Sequence, residues 1–350
     1  MFARCKSVVA TATKKVIDAL GKYRKATFAA ITLFLIVLPL VLNEISYYYL
    51  HIVISIGIFY ILALGLNVIV GYAGQFALGH AAFFGIGAYT SALLMVRLGA
   101  SFWVGLVSAA LFTAMAGFLL GLPVIRLRGD YLGIVTLAFG EIVRLLFVNL
   151  IPLTGGPMGI PGIPSPSLFG YTFSSRVGFY YLILALSAMT GFVVYRITHS
   201  GFGLNLLTIR KDESLASSMG IWPVKYKLSA FVIGAFFAGI AGAFWASYVS
   251  FISPDAFTYM HSVNILAMVV IGGSASIPGS LLGAVILVFI PELLRAASEY
   301  RMMLLGLAMV MMMIFRPTGF LGEKYRLFNF FGSEGVRLYG NNSQAGKHRG

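Results

Sequence analysis

The chain has 350 residues, of which 59% are hydrophobic and only 10% are charged. Soluble domains carry about 25% charged residues, so 25 basic and 11 acidic side chains cannot cover the surface of a water-soluble protein of this size. The composition excludes a soluble globular protein and predicts an all-α polytopic membrane protein. The net charge of +14 would suggest a nucleic-acid partner for a soluble protein, so the position of the basic residues decides how that charge is interpreted.

About ten apolar segments follow one another along the chain, and several are shorter than the roughly 20 residues that a helix needs to cross a bilayer. In chain order they are Thr27–Leu42, Tyr47–Val70, Ala81–Val96, Phe102–Ile125, Tyr131–Ile151, Val177–Tyr195, Leu228–Ile252, His261–Ile271, Leu281–Leu294 and Met302–Phe315.

The basic residues predict the orientation, because Lys and Arg collect in cytoplasmic loops. If all ten segments cross and the N-terminus is cytoplasmic, 20 of the 25 basic residues fall in cytoplasmic pieces. Both termini are therefore predicted to be cytoplasmic, and the excess charge reflects topology and does not indicate nucleic acid. The predicted organisation is a basic N-terminal segment at residues 1–26, a transmembrane domain at 27–322 and a flexible cytoplasmic tail at 323–350.

Two stretches interrupt the apolar pattern, Gly71–His80 and Gly272–Gly279, and each follows an apolar run that contains an Asn. The pairing suggests a weak internal repeat. Non-helical backbone at membrane depth is tolerated where it is buried in protein or lines a water-filled cavity, and paired broken helices indicate a solute path near the midplane. Gln75, Ser274 and Ser276 are the candidate polar groups of that path.

A second interpretation of the same glycines is close helix packing, for which Gly279/Gly283, Ala235/Gly239 and Ala238/Gly242 have the required spacing. Both interpretations stay open at this point.

One charged pair, Glu141 and Arg144, lies within an apolar segment, three residues apart and hence on one helix face. A charge within a span is costly unless it is paired. The pair is either a structural ion pair or a candidate contact of the translocation path.

The longest internal connection, residues 196–227, has a composition unlike the spans. Asp212 or Ser214 is a suitable N-cap, Gly220 is a suitable helix stop and Pro223 prevents continuation. The pattern predicts a short helix of about two turns on the cytoplasmic surface, suited to transmitting force from a soluble partner.

The sequence contains no recognisable motif for nucleotide binding, metal binding or catalysis. It has no G-x-x-x-x-G-K-[ST] or G-x-G-x-x-G motif and no metal-ligand spacing or nucleophile–base pair. We therefore expect that the protein binds no cofactor and is not an enzyme. If ATP drives transport, the ATPase must be another chain.

Several stretches resemble LivM-type permeases of branched-chain amino acid ABC importers. The resemblance covers about Leu50 to Gly322 and is carried by Arg128–Ile142, Thr154–Ile160, Arg210–Gly220, Lys227–Phe231, Pro291–Arg295 and Phe315–Leu321.

The resemblance implies a permease of the bacterial inner membrane that pairs with a homologous second permease. It also implies two ATP-binding subunits on the cytoplasmic face and a periplasmic binding protein that delivers leucine, isoleucine or valine. Arg210, Asp212, Glu213 and Gly220 would belong to the ATPase-coupling loop. That loop often carries E-A-A-x-x-x-G, whereas here Glu213 stands seven residues before Gly220 and Ser214-Leu215 replace the alanines.

Two alternatives remain. Related permeases carry urea or short amides. A secondary transporter driven by protons or sodium would belong to a different class and would use His80 or Glu141.

Overall fold

The computed structural model describes residues 35–39, 47–125, 127, 129–168, 171–173, 175–293, 303, 306–307, 310 and 319–321. The N-terminal segment 1–26, the tail 323–350 and most of the first and last predicted apolar segments lie outside these residues. The count of ten segments, the position of the termini and the internal repeat therefore stay predictions.

The described part of the chain is mostly helical. Its α-helices are α1 Tyr47–Leu66, α2 His80–Leu98, α3 Phe102–Val124, α4 Asp130–Asn149, α5 Ile151–Thr154, α6 Arg176–Thr198, α7 Gly201–Lys211, α8 Glu213–Ser218, α9 Pro223–Val249, α10 Tyr259–Gly272 and α11 Ile277–Leu293. A π-helix, Asn67–Tyr72, continues α1, and two 3-10 helices span Gly156–Met158 and Pro254–Phe257. The strands have two residues each: β1 Ile160–Pro161, β2 Ser167–Leu168, β3 Tyr171–Thr172 and β4 Phe251–Ile252.

Six of these helices are long and apolar enough to cross a membrane: α1 with its π-helical extension, α2, α3, α4, α6 and α9. Helices α10 and α11 are apolar but shorter, with 14 and 17 residues. Eight of the predicted apolar segments coincide with these eight helices, so the prediction of a multi-pass helical membrane protein is confirmed at this level.

Helix α9 lies at the centre and packs along α1, α2 and α3. Small residues make these contacts close: a Cβ atom added at Gly87 of α2 would lie 2.6 Å from the Cα atom of Gly239 in α9. Ala235 and Ala238 are the alanines of the predicted packing spacings Ala235/Gly239 and Ala238/Gly242, and both are fully buried on α9. The packing interpretation is therefore confirmed for α9, and dispersion between closely approaching backbones holds the bundle together where lipid offers no hydrophobic driving force.

The bundle has two different ends. At the first end β1 pairs antiparallel with β4, with Ile160 opposite Ile252, and β2 pairs with β3 in a short hairpin. We call this the β1–β4 end. At the other end, α7 contacts the segment between α1 and α2 and the turn between α10 and α11 through Arg210, and α8 contacts α9 through the ion pair of Glu213 with Lys227. We call this the α7–α8 end.

Candidate functional site

The first helix break lies between α1 and α2. The π-helix ends at Tyr72, residues 73–79 are not helical, and α2 begins at His80. The break is shorter than the predicted Gly71–His80 because the wide π turns carry the helix to Tyr72. Two backbone N–H groups point back into the π-helix: Ala73 donates to the carbonyl of Val68 (3.1 Å) and Gln75 to that of Ile69 (3.0 Å).

The part of this break around Phe76 and Leu78 contacts α4. The N–H of Leu78 donates to the Thr136 hydroxyl at 2.9 Å, and Gly133 of α4 lies against the ring of Phe76. A side-chain hydroxyl thus replaces the backbone partner that a helix would have supplied.

The second break lies between α10 and α11 and is a tight turn at residues 273–276. The last carbonyls of α10, those of Ile271 and Gly272, accept hydrogen bonds from the N–H groups of Phe320 (3.0 Å) and Leu321 (2.9 Å). The Ser276 hydroxyl accepts from the N–H of Gly279 at 3.1 Å and caps the first turn of α11.

Asn67 joins the π-helix that precedes the first break to the second break. Its side-chain amide donates to the Ser276 carbonyl (3.0 Å) and to the Ser280 hydroxyl (2.9 Å), and its carbonyl oxygen accepts from the N–H of Ala275 (2.9 Å). The side chain is buried. Only a glycine at position 71 leaves room for it, since a Cβ there would collide with Asn67 Oδ1.

Arg210, the penultimate residue of α7, also contacts both breaks. Its guanidinium donates to the carbonyl of Gly71 at 2.5 Å and to the Ser274 hydroxyl at 3.4 Å. The Gly71 carbonyl belongs to the last turn of the π-helix, where a cation is favourable because the terminal carbonyls lack helical partners. The structure thus brings one predicted coupling residue onto both predicted breaks.

A cavity of about 220 Å³ lies between the first break, the start of α4 and the α7–α8 connection. Its lining residues are Ala73, Gly74, Gln75, Leu127, Gly129, Leu132, Ile209, Arg210, Lys211, Glu213 and Lys227. Lys227 of α9 is buried and forms an ion pair with Glu213 (2.9 Å). Gln75 is only 3% exposed, and neither of its amide atoms has a hydrogen-bond partner among the residues described.

Helix α8 forms for the predicted local reasons. The Asp212 carboxylate accepts from the N–H groups of Ser214 (2.9 Å) and Leu215 (3.0 Å), so Asp212 is the N-cap. Gly220 ends the segment with a φ of +79°, a conformation that glycine adopts without strain. The helix has six residues, slightly less than the two turns predicted, and Pro223 stands at the first position of α9.

The remaining predicted site residues lie elsewhere. Glu141 and Arg144 form an ion pair at 2.8 Å on α4, with side chains 31% and 25% exposed, and neither lines the cavity. The polar groups of Ser276 are engaged with Asn67 and Gly279. Gln75, Arg210 and Glu213 therefore share one cavity, and Ser274 adjoins it through Arg210.

Sequence reasoning missed Asn67 and Lys227 as parts of this site. Asn67 had a signal, because a lone amide inside an apolar run needs a partner within the bundle. Lys227 had none, since a basic residue at the start of a cytoplasm-adjacent span is common.

These features define a multi-pass membrane protein in which two interrupted helices meet a helical loop at one end of the bundle, an arrangement suited to a transport permease subunit. The model of the family described as "Branched-chain amino acid transport system / permease component" matches residues 48–313, and the chain belongs to this family. As a permease subunit it is not itself an enzyme.

Several relatives are similar over most of their length. The high-affinity branched-chain amino acid transport system permease protein LivM of Salmonella typhimurium LT2 is 47% identical over 287 residues, which is 75% of this chain and 68% of the relative. The protein of the same name from Escherichia coli K12 is 46% identical over the same shares. The permease protein LivH of Salmonella typhimurium LT2 is 25% identical over 288 residues, 75% of this chain and 91% of the relative. No solved structure matches the chain.

Proposed function

We propose that the chain is the membrane-spanning permease subunit of an ATP-driven importer that carries leucine, isoleucine and valine across the bacterial inner membrane. Family membership and the printed names of the LivM relatives support the substrate class. Similarity to both LivM and LivH proteins supports a pair of homologous permeases. Two ATP-binding subunits and a periplasmic binding protein complete the assembly, and ATP is hydrolysed on the separate chains.

The observation that carries the mechanism is the contact of Arg210 with both helix breaks. The ATP-binding subunits dock on α8, whose surroundings expose the apolar side chains of Leu215, Met219 and Trp222. Such exposed apolar groups outside the spans suit a protein partner. The loop 196–227 is the coupling loop in this proposal.

Two contacts transmit the displacement of α8 into the bundle. The ion pair of Glu213 with Lys227 links α8 to the central helix α9. Arg210, two residues before the N-cap of α8, links the same loop to Gly71 and Ser274. A movement of the loop therefore acts on both breaks together, and it opens and closes the path by alternating access.

The path runs beside the breaks, with Gln75 and Ser274 as its polar groups. A weakly polar passage suits an aliphatic side chain, while a few polar groups serve the ammonium and carboxylate. Ser276, through its contact with Asn67, holds the second break in shape. Glu141 and Arg144 line the path only if α4 faces the second permease, since both lie away from the cavity.

At the opposite end the binding protein docks on the loops that include Gly155–Pro164. There β1 and β4 pair, and Ile163 donates its N–H to the Ser250 carbonyl at 3.2 Å. The two loops are thereby joined into one surface. The permease domain spans 27–322 in this proposal, with the basic segment 1–26 and the tail 323–350 in the cytoplasm.

Uptake by the reconstituted system tests the proposal. This chain, a second permease and the ATP-binding subunits are placed in proteoliposomes with ATP inside, and the binding protein and radiolabelled leucine outside. We expect ATP-dependent leucine uptake that isoleucine and valine inhibit and that urea and acetamide do not. Uptake driven by a proton or sodium gradient with this chain alone would establish the ion-coupled alternative instead, and preferred inhibition by urea or acetamide would establish the amide alternative.

A further inference from the structure

Polar side chains dominate the surface of the cavity at the α7–α8 end, and those that line it are Gln75, Arg210, Lys211, Glu213 and Lys227. Ala73, Leu127, Leu132 and Ile209 also line the cavity and contribute the smaller part of its surface. The cavity volume of about 220 Å³ is below the range of about 300–1,000 Å³ that is typical of pockets for drug-sized ligands, so it suits one small solute.

The polar lining offers complementary charges. Arg210, Lys211 and Lys227 are cations, and Glu213 is the one carboxylate among the described residues of the lining. Among these described residues cations outnumber carboxylates, which attracts a carboxylate, while Glu213, already paired with Lys227, supplies a further acceptor for an ammonium group. An α-amino acid carries both groups on one carbon, and a small aliphatic side chain would lie against Ala73, Leu132 and Ile209.

Gln75 is the second, independent indication of a ligand. Its amide is almost completely buried, lines the cavity and has no partner among the described residues. A buried amide without a partner has lost its hydrogen bonds to water, and a ligand that enters the cavity can replace them. The amide can donate to a carboxylate and accept from an ammonium, so it fits either end of an amino acid.

The cavity opens at the surface of the α7–α8 end. Three of its lining residues, Gly74, Gly129 and Lys211, are exposed. The distribution of basic residues assigns this end to the cytoplasm. A ligand therefore enters from the cytoplasmic solution, where the transported amino acid accumulates.

We propose that this cavity binds one aliphatic α-amino acid from the cytoplasmic side, with the carboxylate at Arg210 and Lys211, the ammonium at Glu213 and the amide of Gln75 between them. The ligand class and the side of entry rest on the proposed function. A bound amino acid connects the first break with α8, so the product of transport holds the coupling loop in its resting position.

Direct binding tests the proposal. The full chain is placed in lipid nanodiscs without the other subunits, and radiolabelled leucine is titrated at equilibrium. We expect saturable binding that isoleucine and valine displace, while acetate and inorganic phosphate at the same concentrations do not.

Matched variants place the binding in the cavity. We expect Gln75→Leu and Lys211→Gln to weaken leucine binding at least tenfold. Lys225→Gln removes one positive charge from an exposed position of the loop 196–227 and should change binding less than twofold. Thermal melting of each variant shows whether its fold is retained.

Absence of saturable binding to a folded wild-type chain overturns the proposal, as does equal weakening by Lys225→Gln or equal displacement by acetate. The uptake assay of the complete system separates the two proposals: leucine uptake without leucine binding by the chain rejects only the cavity, whereas an assembled system that imports no branched-chain amino acid rejects the proposed function.

Discussion

The two helix breaks look alike in sequence but are held in different ways. In the second break, Ser276 caps the following helix, Asn67 binds the turn, and the last carbonyls of α10 are bound by Phe320 and Leu321. In the first break residues 73–79 are not helical, and Gln75 is buried with no partner among the described residues. The second break is thus held by several hydrogen bonds, most of them to residues outside it, while the first contributes polar groups to a cavity.

This difference assigns separate tasks to the two breaks. A turn that several hydrogen bonds hold resists movement, because these bonds must be lost before it moves. A segment with an unsatisfied amide gains from a ligand or from a rearrangement that supplies a partner. Arg210 contacts one group in each break, so it connects a rigid element to an adaptable one.

The largest loss of stability is expected from a substitution beside the second break. A Cβ at Gly283 of α11 would collide with the backbone carbonyl of Met268 in α10. Gly283→Ala forces the two backbones apart, so we expect a loss of stability of about 3 kcal/mol or more, measured by thermal melting in detergent. Gly201→Ala, a helical position with open space around its Cβ, is the control and should melt at or above the wild-type temperature. An unchanged melting temperature for Gly283→Ala would show that α10 and α11 do not pack as closely as described.

The next largest effect is expected at the residue that joins the breaks. Asn67→Ala removes three hydrogen bonds and leaves the N–H of Ala275 buried without its partner. We expect a loss of about 2–3 kcal/mol in the free energy of unfolding. Asn205→Ala, which removes one half-buried bond to the Tyr226 hydroxyl, serves as the control and should cost less than half as much. Equal losses would contradict the special position of Asn67.

A smaller change in stability and a large change in function are expected at Arg210. Arg210→Gln removes the charge that binds Gly71 and weakens the link to Ser274. The stability loss should be about 1–2 kcal/mol, while ATP-dependent leucine uptake falls about tenfold and ATP hydrolysis persists, because the loop no longer acts on the breaks. Uptake and hydrolysis are measured on the same proteoliposomes, with Lys225→Gln as the charge-matched control. Parallel loss of uptake and hydrolysis would place the defect in assembly and would reject the connection.

The smallest effect on stability, and the sharpest contrast between the breaks, is expected at Gln75. Gln75→Leu removes a buried amide that makes no bond to any described group, so stability should stay unchanged or rise by up to about 1 kcal/mol. Asn67→Leu, the same kind of replacement in the other buried amide, should destabilise strongly. Comparable losses for both variants in thermal melting would mean that Gln75 has a partner and that the two breaks do not differ.

The spans were predictable because lipid imposes a simple demand on sequence. The apolar run Phe102–Ile125 matches α3, and Tyr131–Ile151 matches α4 within two residues. Helix α9 begins five residues before its apolar run, at Pro223, because its first turn need not be apolar and proline suits the first helical position.

The site was only partly predictable. The position of both breaks and the cap at Asp212 follow from local chemistry. Helix α7 was not predicted, since Gly201 and Gly203 lower the helix propensity of its first turn. The bond from Ala275 to Asn67 spans 208 residues and depends on how α1 packs against α11, which no local pattern encodes. For the same reason Ser276, chosen as a path residue, could not be recognised as bound to Asn67.

In the proposed importer, helix α9 would connect the two faces of the membrane mechanically. It has 27 residues and no proline beyond its first position, so at about 1.5 Å per residue it is a continuous helix of about 40 Å. Lys227 near one end forms an ion pair with Glu213, and β4, just after the other end, pairs with β1. Because no proline interrupts the helix and it packs closely on its neighbours, a tilt imposed at α8 would reach the β1–β4 surface without a hinge in between. ATP binding on one side and delivery of the solute on the other would then act on the same helix.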